Sequence, residues 1–220
     1  MKLIIFIHTC KLYENTRAKL LENTWAKNND VIFITDNEKS ELKNHIYIKS
    51  YEKGYTYHPN NVKKMFDIFI NKYNDYDYFM IIDDDSYLYI DKLKLYLSFF
   101  DKNEPYMIGD FLNWTNYNTN YNYGGSYEYW VGGGAGIVFT KSCIIEYIEL
   151  YKKNIINYFN HDVWLHNLFK LSNGKIKRTH CAGFHQYEGD TLYKKYSKDD
   201  NKLISIHLNH DMSLLKNYDA

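Results

Sequence analysis

The sequence has few prolines, few cysteines and no excess of charge of either sign. Its 220 residues include 2 Pro and 3 Cys, and 27 Lys+Arg balance 27 Asp+Glu. Without a basic excess to neutralise phosphates, we do not expect a nucleic-acid-binding protein. The scarcity of proline and a hydrophobic content of 45% exclude an intrinsically disordered chain.

Disulfide frameworks and membrane segments are also missing from the pattern. Cys10, Cys143 and Cys181 form no CxxC pair, which indicates reduced thiols and not a zinc site or a secreted scaffold. The short apolar run at residues 3–7 does not resemble a signal peptide. No stretch approaches the roughly 20 apolar residues of a membrane-spanning helix. We therefore expect a soluble cytoplasmic protein without a membrane segment.

Tyrosine is abundant: the chain has 24 Tyr and an aromatic fraction of 18%. Tyr, Lys, Asn and Ile have AT-rich codons, so our hypothesis for most of the excess is codon bias in an AT-rich genome, such as that of a virus or parasite. Stacking of tyrosines on sugars is the functional alternative, and it applies best to the polar loop at residues 113–127, which is rich in Asn and Tyr. Loops of this length are often functional, so we expect this one to hold an acceptor or to close over a donor.

Strands and helices alternate along the chain. Continuous apolar runs predict strands buried on both faces, and apolar positions at helical spacing lie between them. Strands are predicted at 3–8, 31–35, 78–82, 106–108 and 137–140, and helices at 15–27, 62–73, 90–100, 141–153 and 161–171. This order predicts an α/β fold with a mostly parallel central sheet flanked by helices.

An acidic triplet, Asp83-Asp84-Asp85, directly follows the predicted strand at 78–82. Open α/β sheets bind ligands at the carboxyl ends of their strands. Carboxylate oxygens are preferred ligands of Mg²⁺ and Mn²⁺, which in turn bind phosphates. The triplet therefore indicates a metal site, and the alternative is a solvated acidic turn that caps the next helix.

Three later features carry possible chemistry. The glycine-rich run at residues 132–136 lets a backbone approach a ligand closely, or else forms a tight turn. Asp162 lies at the start of a predicted helix, where it is either a functional acid or an N-cap. Several histidines follow the triplet and make a mixed Asp/His metal site plausible; they are His180, His185, His207 and His210.

Taken in order, these segments resemble the Fringe-like β-1,3-glycosyltransferases, a superfamily that includes core-1 galactosyltransferase-type enzymes. The similar segments are HTCKLYENTRAKLLENTW, VIFITD, YFMIIDDDSYLYIDKLKLYL, PYMIGD, GGGAGIVFT, HDVWL, GFHQYEGD and ISIHLNHD. The resemblance implies a single GT-A-like catalytic domain over residues 1–220. Residues 1–110 would bind the nucleotide-sugar, and residues 111–220 would bind the acceptor and carry catalysis.

The resemblance also implies an activity. It is the inverting, metal-dependent transfer of a hexose or N-acetylhexosamine from a UDP-sugar to a hydroxyl of a glycan or glycoprotein. Mn²⁺ or Mg²⁺ would be the cofactor. Two rivals remain open, which are a nucleotidyltransferase that uses the triplet with two metals, and an inactive sugar-binding relative.

Residue roles follow from the same resemblance. Asp85 would bind the metal and Asp84 the nucleotide-sugar. Arg17 would bind the nucleotide, with Thr9 and Asp36 in the same pocket.

In the second half of the chain, Gly133 and Gly134 would approach the donor sugar, and Asp162 would be the catalytic base. His185 would complete the metal site, with His207 as the second choice. The sequence departs from the family pattern at His161, where an acid is usual, and in its Phe-His-Gln-Tyr segment, which replaces Phe-His-x-His.

Overall fold

The computed structural model describes residues 1–49, 58–113, 129–156, 160–186 and 202–218. Most of the predicted polar loop, residues 114–127, lies outside these ranges. In chain order the strands and helices are β1 (Leu3–His8), α1 (Lys19–Asn23), β2 (Val31–Thr35), β3 (His45–Tyr47), α2 (His58–Lys72), β4 (Tyr78–Asp83), β5 (Ser86–Leu88), α3 (Ile90–Leu97), β6 (Tyr106–Gly109), β7 (Phe111–Asn113), β8 (Tyr129–Val131), β9 (Ile137–Thr140), α4 (Lys141–Lys153), α5 (His161–Lys170), β10 (Lys177–His180), β11 (Phe184–His185) and β12 (Ser205–His207).

The central sheet has seven strands in the order β10-β6-β9-β4-β1-β2-β3. Its pairs are parallel except those of β9, which runs antiparallel to both β4 and β6. The predicted α/β architecture with a mostly parallel central sheet is thereby confirmed. Two smaller sheets complete the described strands, one in the order β11-β12-β5 and one formed by β7 and β8.

Both faces of the central sheet are buried, which explains its continuous apolar strands. Successive side chains of a strand point to opposite faces. In β1, Ile5 and Ile7 belong to one core cluster, while Ile4 and Phe6 belong to the other. Helix α3 packs into the first cluster, and α2, α4 and α5 pack into the second.

The predicted helix at 15–27 takes a different form. Residues Glu14–Ala18 form a single π-helical turn, and only then does the short helix α1 begin. The carbonyl of Tyr13 accepts hydrogen bonds from the backbone N–H groups of Arg17 and Ala18, at 2.8 and 3.3 Å. This widened turn carries Arg17, and π-turns occur frequently at functional sites.

Strand pairing brings the polar ends of several strands to one edge of the sheet. In the parallel pair β1–β4, His8 lies opposite Asp83, so the residues that follow both strands are neighbours. In the antiparallel pair β5–β12, His207 lies opposite Ser86. A segment from the end of the chain is thus placed directly beside the acidic triplet. Within the described residues, no helix has the length and apolar character needed to cross a membrane.

Candidate active site

Asp84 is buried and is bound by donors from the protein itself. Its Oδ2 accepts a hydrogen bond of 2.6 Å from the Thr9 hydroxyl. Its Oδ1 accepts a charge-assisted bond of 3.1 Å from Arg17 Nη1. Thr9 follows β1 and Arg17 lies in the π-helical turn, so the segment after β1 supplies both partners of Asp84.

Asp85 lies at the centre of a denser network. Its Oδ1 is 3.0 Å from His207 Nε2, and its Oδ2 is 2.7 Å from His210 Nδ1 and 3.2 Å from Arg17 Nη1. Burial alone would raise the pKa of Asp85. The hydrogen bond from His207 and the positive charges of His207, Arg17 and His210 outweigh it and lower that pKa to about 2.

Asp83, Asp85 and His207 form a group that could hold a metal ion. One ligand atom from each residue lies within 4.8 Å of the others. Burial raises the pKa of Asp83, and the two neighbouring carboxylates add to this effect. Two carboxylates and an imidazole are a donor set that suits Mn²⁺, and the negative charge concentrated there gives a cation a physical reason to bind.

The structure brings His207, and not His185, to this group. His185 of β11 pairs with Ile206 in the parallel ladder with β12. Residues paired in this way share a face, and the next residue along the strand points to the opposite face. His207 therefore faces the triplet while His185 lies on the other side of the small sheet. The spacing of the motifs along the sequence allowed either histidine, because the register between β11, β12 and β5 is a property of the folded sheet.

Arg17 joins several elements of the site. Its guanidinium bonds to both Asp84 and Asp85, and Nη2 lies 3.0 Å from His210 Nδ1. Its Cζ lies 3.8 Å from the centroid of the Tyr13 ring, in a cation–π contact. His210 was a candidate only as one of several late histidines. Its left-handed backbone, with φ of 72°, marks a strained position of the kind that clusters at functional sites.

Asp36 lies at the same edge, directly after β2. Its Oδ1 accepts a hydrogen bond of 2.7 Å from the backbone N–H of Lys11, in the segment after β1. Nearby, the buried carboxylate of Glu14 accepts bonds of 2.6 Å from both the Thr35 hydroxyl and the Asn37 amide. Glu14 lies inside the N-terminal segment that resembles the Fringe-like family, but no pattern in the sequence marks it as a site residue. It ties the π-helical turn to the end of β2.

The glycine-rich run packs against two histidine rings. A Cβ atom on Gly133 would lie 2.3 Å from His161 Nε2, and one on Gly134 would lie 2.8 Å from His207 Nδ1. Both positions therefore require glycine because imidazoles of the protein fill the space of a side chain. Gln186 fixes the run by donating to the Gly132 carbonyl at 2.9 Å and accepting from the Ala135 N–H at 3.0 Å.

Asp162 lies in the first turn of α5 but is not its N-cap, which is Asn160. Its Oδ1 accepts a hydrogen bond of 2.8 Å from the backbone N–H of Val163, and its Oδ2 accepts one of 3.1 Å from the indole N–H of Trp130. Burial raises the pKa of Asp162, and these two hydrogen bonds oppose that rise. Asp162 as a whole residue is half-buried.

Comparison with known proteins identifies the family. A model of the Fringe-like family matches residues 1–206. The chain belongs to the Fringe-like family.

Two curated relatives of this Fringe-like chain are named for a glycosyltransferase activity. The chain is 25% identical to a β-1,3-glucosyltransferase of Homo sapiens over 222 aligned residues, which cover 98% of this chain and 41% of that protein. It is 26% identical to a β-1,3-glucosyltransferase of Mus musculus over 149 residues, which cover 65% of this chain and 28% of that protein. The chain thus spans less than half the length of the curated relatives it matches.

Solved structures show the fold. A glycosyltransferase involved in glycosylation of the major capsid of PBCV-1 superposes with a TM-score of 0.55, at 12% identity and with 97% of both chains covered. The fold of the Fringe-like chain is accordingly that of GT-A glycosyltransferases, as the sequence predicted.

The departure from the Fringe-like pattern at His161 has a structural explanation. His161 is buried against Gly133 at the start of α5. Burial, with a smaller contribution from the charge of nearby His8, lowers the pKa of His161 to about 3. A neutral imidazole thus occupies the space beside the glycine run.

This burial predicts a pH-dependent loss of stability. In the unfolded chain a histidine has a pKa of about 6.5, so unfolding takes up a proton below that pH. The contribution of the neutral His161 to the free energy of unfolding is fully present above about pH 6.5. As the pH falls from there to about pH 3, this contribution decreases by at most about 1.4 kcal/mol per pH unit. Urea unfolding of wild type and His161→Asn at pH 7.5 and 4.5 should show the smaller loss in the variant. Equal losses would contradict this role for His161.

Proposed function

We propose that this chain is an inverting, metal-dependent glycosyltransferase. It would move a hexose or N-acetylhexosamine from a UDP-sugar to a hydroxyl of a glycan or glycoprotein acceptor. The observation that carries the proposal is the group of Asp83, Asp85 and His207 at the carboxyl edge of a GT-A sheet. Residues 1–220 would form one catalytic domain, with the donor bound mainly by residues 1–110, and with acceptor binding and catalysis supplied mainly by residues 111–220.

Asp83, Asp85 and His207 would hold Mn²⁺ or Mg²⁺. The ion, when bound, supplies positive charge that offsets the charge of the leaving diphosphate. His207 replaces His185 as the proposed histidine because of its contact with Asp85.

The nucleotide would bind beside this group, at the ends of β1 and β2. Arg17 contributes a permanent positive charge there, and Asp36 is exposed at the same edge. Asp84 and Thr9 bind each other, so their contribution is to hold Arg17 and the segment after β1 in place for the donor. Gly133 and Gly134 would present backbone to the donor sugar on the side away from the two imidazoles.

Asp162 would act as the general base. Its carboxylate takes the proton of the acceptor hydroxyl while the hydroxyl oxygen forms a bond to the anomeric carbon. The bond from that carbon to the diphosphate oxygen breaks, and the electron pair leaves with UDP. Attack from the face opposite the leaving group inverts the configuration, and one base on that face is sufficient.

A panel of UDP-sugars with and without Mn²⁺, followed by thermal unfolding, tests the proposal directly. A ligand that binds only the native state raises the melting temperature. The names of the relatives make UDP-glucose the first donor to test and a β-1,3 linkage the first product to seek. Release of UDP supports sugar transfer, whereas release of sugar 1-phosphate, with UMP joined to the acceptor, would indicate a nucleotidyltransferase. Absence of any turnover, including hydrolysis, would indicate an inactive sugar-binding relative.

The two candidate metal histidines can be separated by substitution. We expect His207→Ala to abolish the part of the UDP-induced thermal shift that requires Mn²⁺, because it removes one ligand and leaves Asp85 without its 3.0 Å partner. His185→Ala is the matched control and should retain that part of the shift, since His185 lies on the other face of the small sheet. The reverse pattern would restore His185 as the ligand.

A further inference from the structure

The carboxylate of Asp162 is held from two directions. The N–H of Val163 on its own helix fixes Oδ1, and the indole N–H of Trp130, which lies on β8, fixes Oδ2. The first bond is local to α5, and by itself it leaves the other oxygen free to turn. The second bond crosses between two elements, as does an interaction with the backbone of Gly133, and it helps to set the orientation of the carboxylate relative to the rest of the site.

The Trp130 indole has little freedom to move. It is only 3% exposed and forms a small apolar cluster with Leu112 of β7 and Val163 of α5. In this packed position its N–H donates to the acid at 3.1 Å. A carboxylate oxygen has two lone-pair sites, so Oδ2 can accept the indole N–H and still receive a proton from a hydroxyl.

A second side chain holds these two elements together. Arg178 of β10 donates a hydrogen bond from Nη1 to the backbone carbonyl of Tyr129, the residue before Trp130. The same nitrogen lies 2.9 Å from Nδ1 of His166, one turn after Asp162 on α5. The guanidinium also stacks on the Phe169 ring of α5, with 4.0 Å from Cζ to the ring centroid. One planar cation thus contacts both the strand of the indole and the helix of the acid.

We infer that Trp130 is a positioning residue for the proposed base: its indole N–H orients the Asp162 carboxylate, and Arg178 keeps β8 and α5 aligned so that it can do so. This inference rests on the proposed function. Neither Trp130 nor Arg178 contacts the substrate in this proposal, and both residues act through Asp162.

Trp130→Phe tests the inference, because it keeps an aromatic ring in the cluster and removes the N–H. We expect kcat for sugar transfer to fall about 10- to 100-fold, since a small misplacement of a catalytic group has effects of this size. The KM for the donor and its dissociation constant should stay within about twofold. Arg178→Lys keeps the charge but loses the planar fork, and should show the same change in kcat without a change in donor KM.

Trp164→Phe is the matched control. Trp164 lies on the same helix, is 1% exposed and packs against Tyr151, within the large core cluster on the other side of α5. This variant should lose stability and keep its kcat. A loss of kcat in Trp164→Phe equal to that in Trp130→Phe would overturn the inference, because general loosening of α5 would then explain both.

A double-mutant cycle separates positioning from general damage. In the Asp162→Asn background, Trp130→Phe should lower the remaining activity by less than about twofold, because residues that act through one group are not additive. A full additional loss would overturn the inference. A wild-type kcat in Trp130→Phe, together with an inactive Asp162→Asn, would also overturn the inference. The proposed function would stand in that case. A wild-type rate in Asp162→Asn would instead overturn the proposed base and this inference with it.

Discussion

Asp162→Asn is expected to lower the rate of sugar transfer by about 10²- to 10⁴-fold, the usual contribution of a general base. The amide has nearly the shape of the carboxylate but cannot take the proton of the acceptor hydroxyl. It also offers one acceptor oxygen where the acid offers two, so it can satisfy only one of the donors on Val163 and Trp130. Initial rates at saturating donor and acceptor measure the effect.

Donor binding should survive this substitution, because Asp162 is not among the metal group. Calorimetry with UDP and Mn²⁺ should therefore give an affinity within about twofold of wild type. Asp77→Asn is the control: Asp77 directly precedes β4 at the opposite edge of the sheet and pairs with Lys102. A transfer rate in Asp162→Asn within about tenfold of wild type would show that another group is the base.

The second large effect is expected at the metal group. Asp85→Asn should weaken Mn²⁺-dependent binding of UDP by at least about 100-fold, as loss of a charged ligand removes both coordination and Coulomb attraction. Asparagine keeps the volume of the side chain and one acceptor for His207 Nε2, so the variant should fold. Titration of UDP in the presence and absence of Mn²⁺ isolates the metal-dependent part.

Asp91→Asn provides the comparison for this substitution. Asp91 is an exposed acid in the first turn of α3, a few residues after the triplet, and its loss changes the net charge equally. Its binding of UDP with Mn²⁺ should match wild type. Unchanged Mn²⁺-dependent affinity in Asp85→Asn would refute the proposed metal group.

Much of the fold could be predicted because its signals are local. The runs at 3–8, 31–35 and 137–140 became β1, β2 and β9 with the predicted bounds. A strand that is buried on both faces needs apolar side chains at every position, and this pattern is visible without knowing its neighbours. The acidic triplet could also be recognised as a candidate site from the sequence, since it directly follows such a strand.

The helix predicted at 15–27 shows where local signals fail. Its apolar spacing fits a helix, but the chain opens into a π-helical turn before α1. That turn is stabilised by contacts far away in sequence. Arg17 bonds to Asp84, and Glu14 bonds to Thr35 and Asn37. The periodicity of apolar residues within a segment gives no information about partners from distant parts of the chain.

The sequence by itself determined the alternation of buried strands and helices, the acidic triplet at a strand end, and the presence of Asp162 at a helix start. The tertiary structure decided which histidine meets the triplet, because the antiparallel pairing of β5 with β12 sets the face on which His207 lies. It also decided that Gly133 and Gly134 accommodate imidazoles, and that Trp130 meets Asp162. These outcomes depend on registers between segments distant along the chain, and one residue of slip would reverse every face.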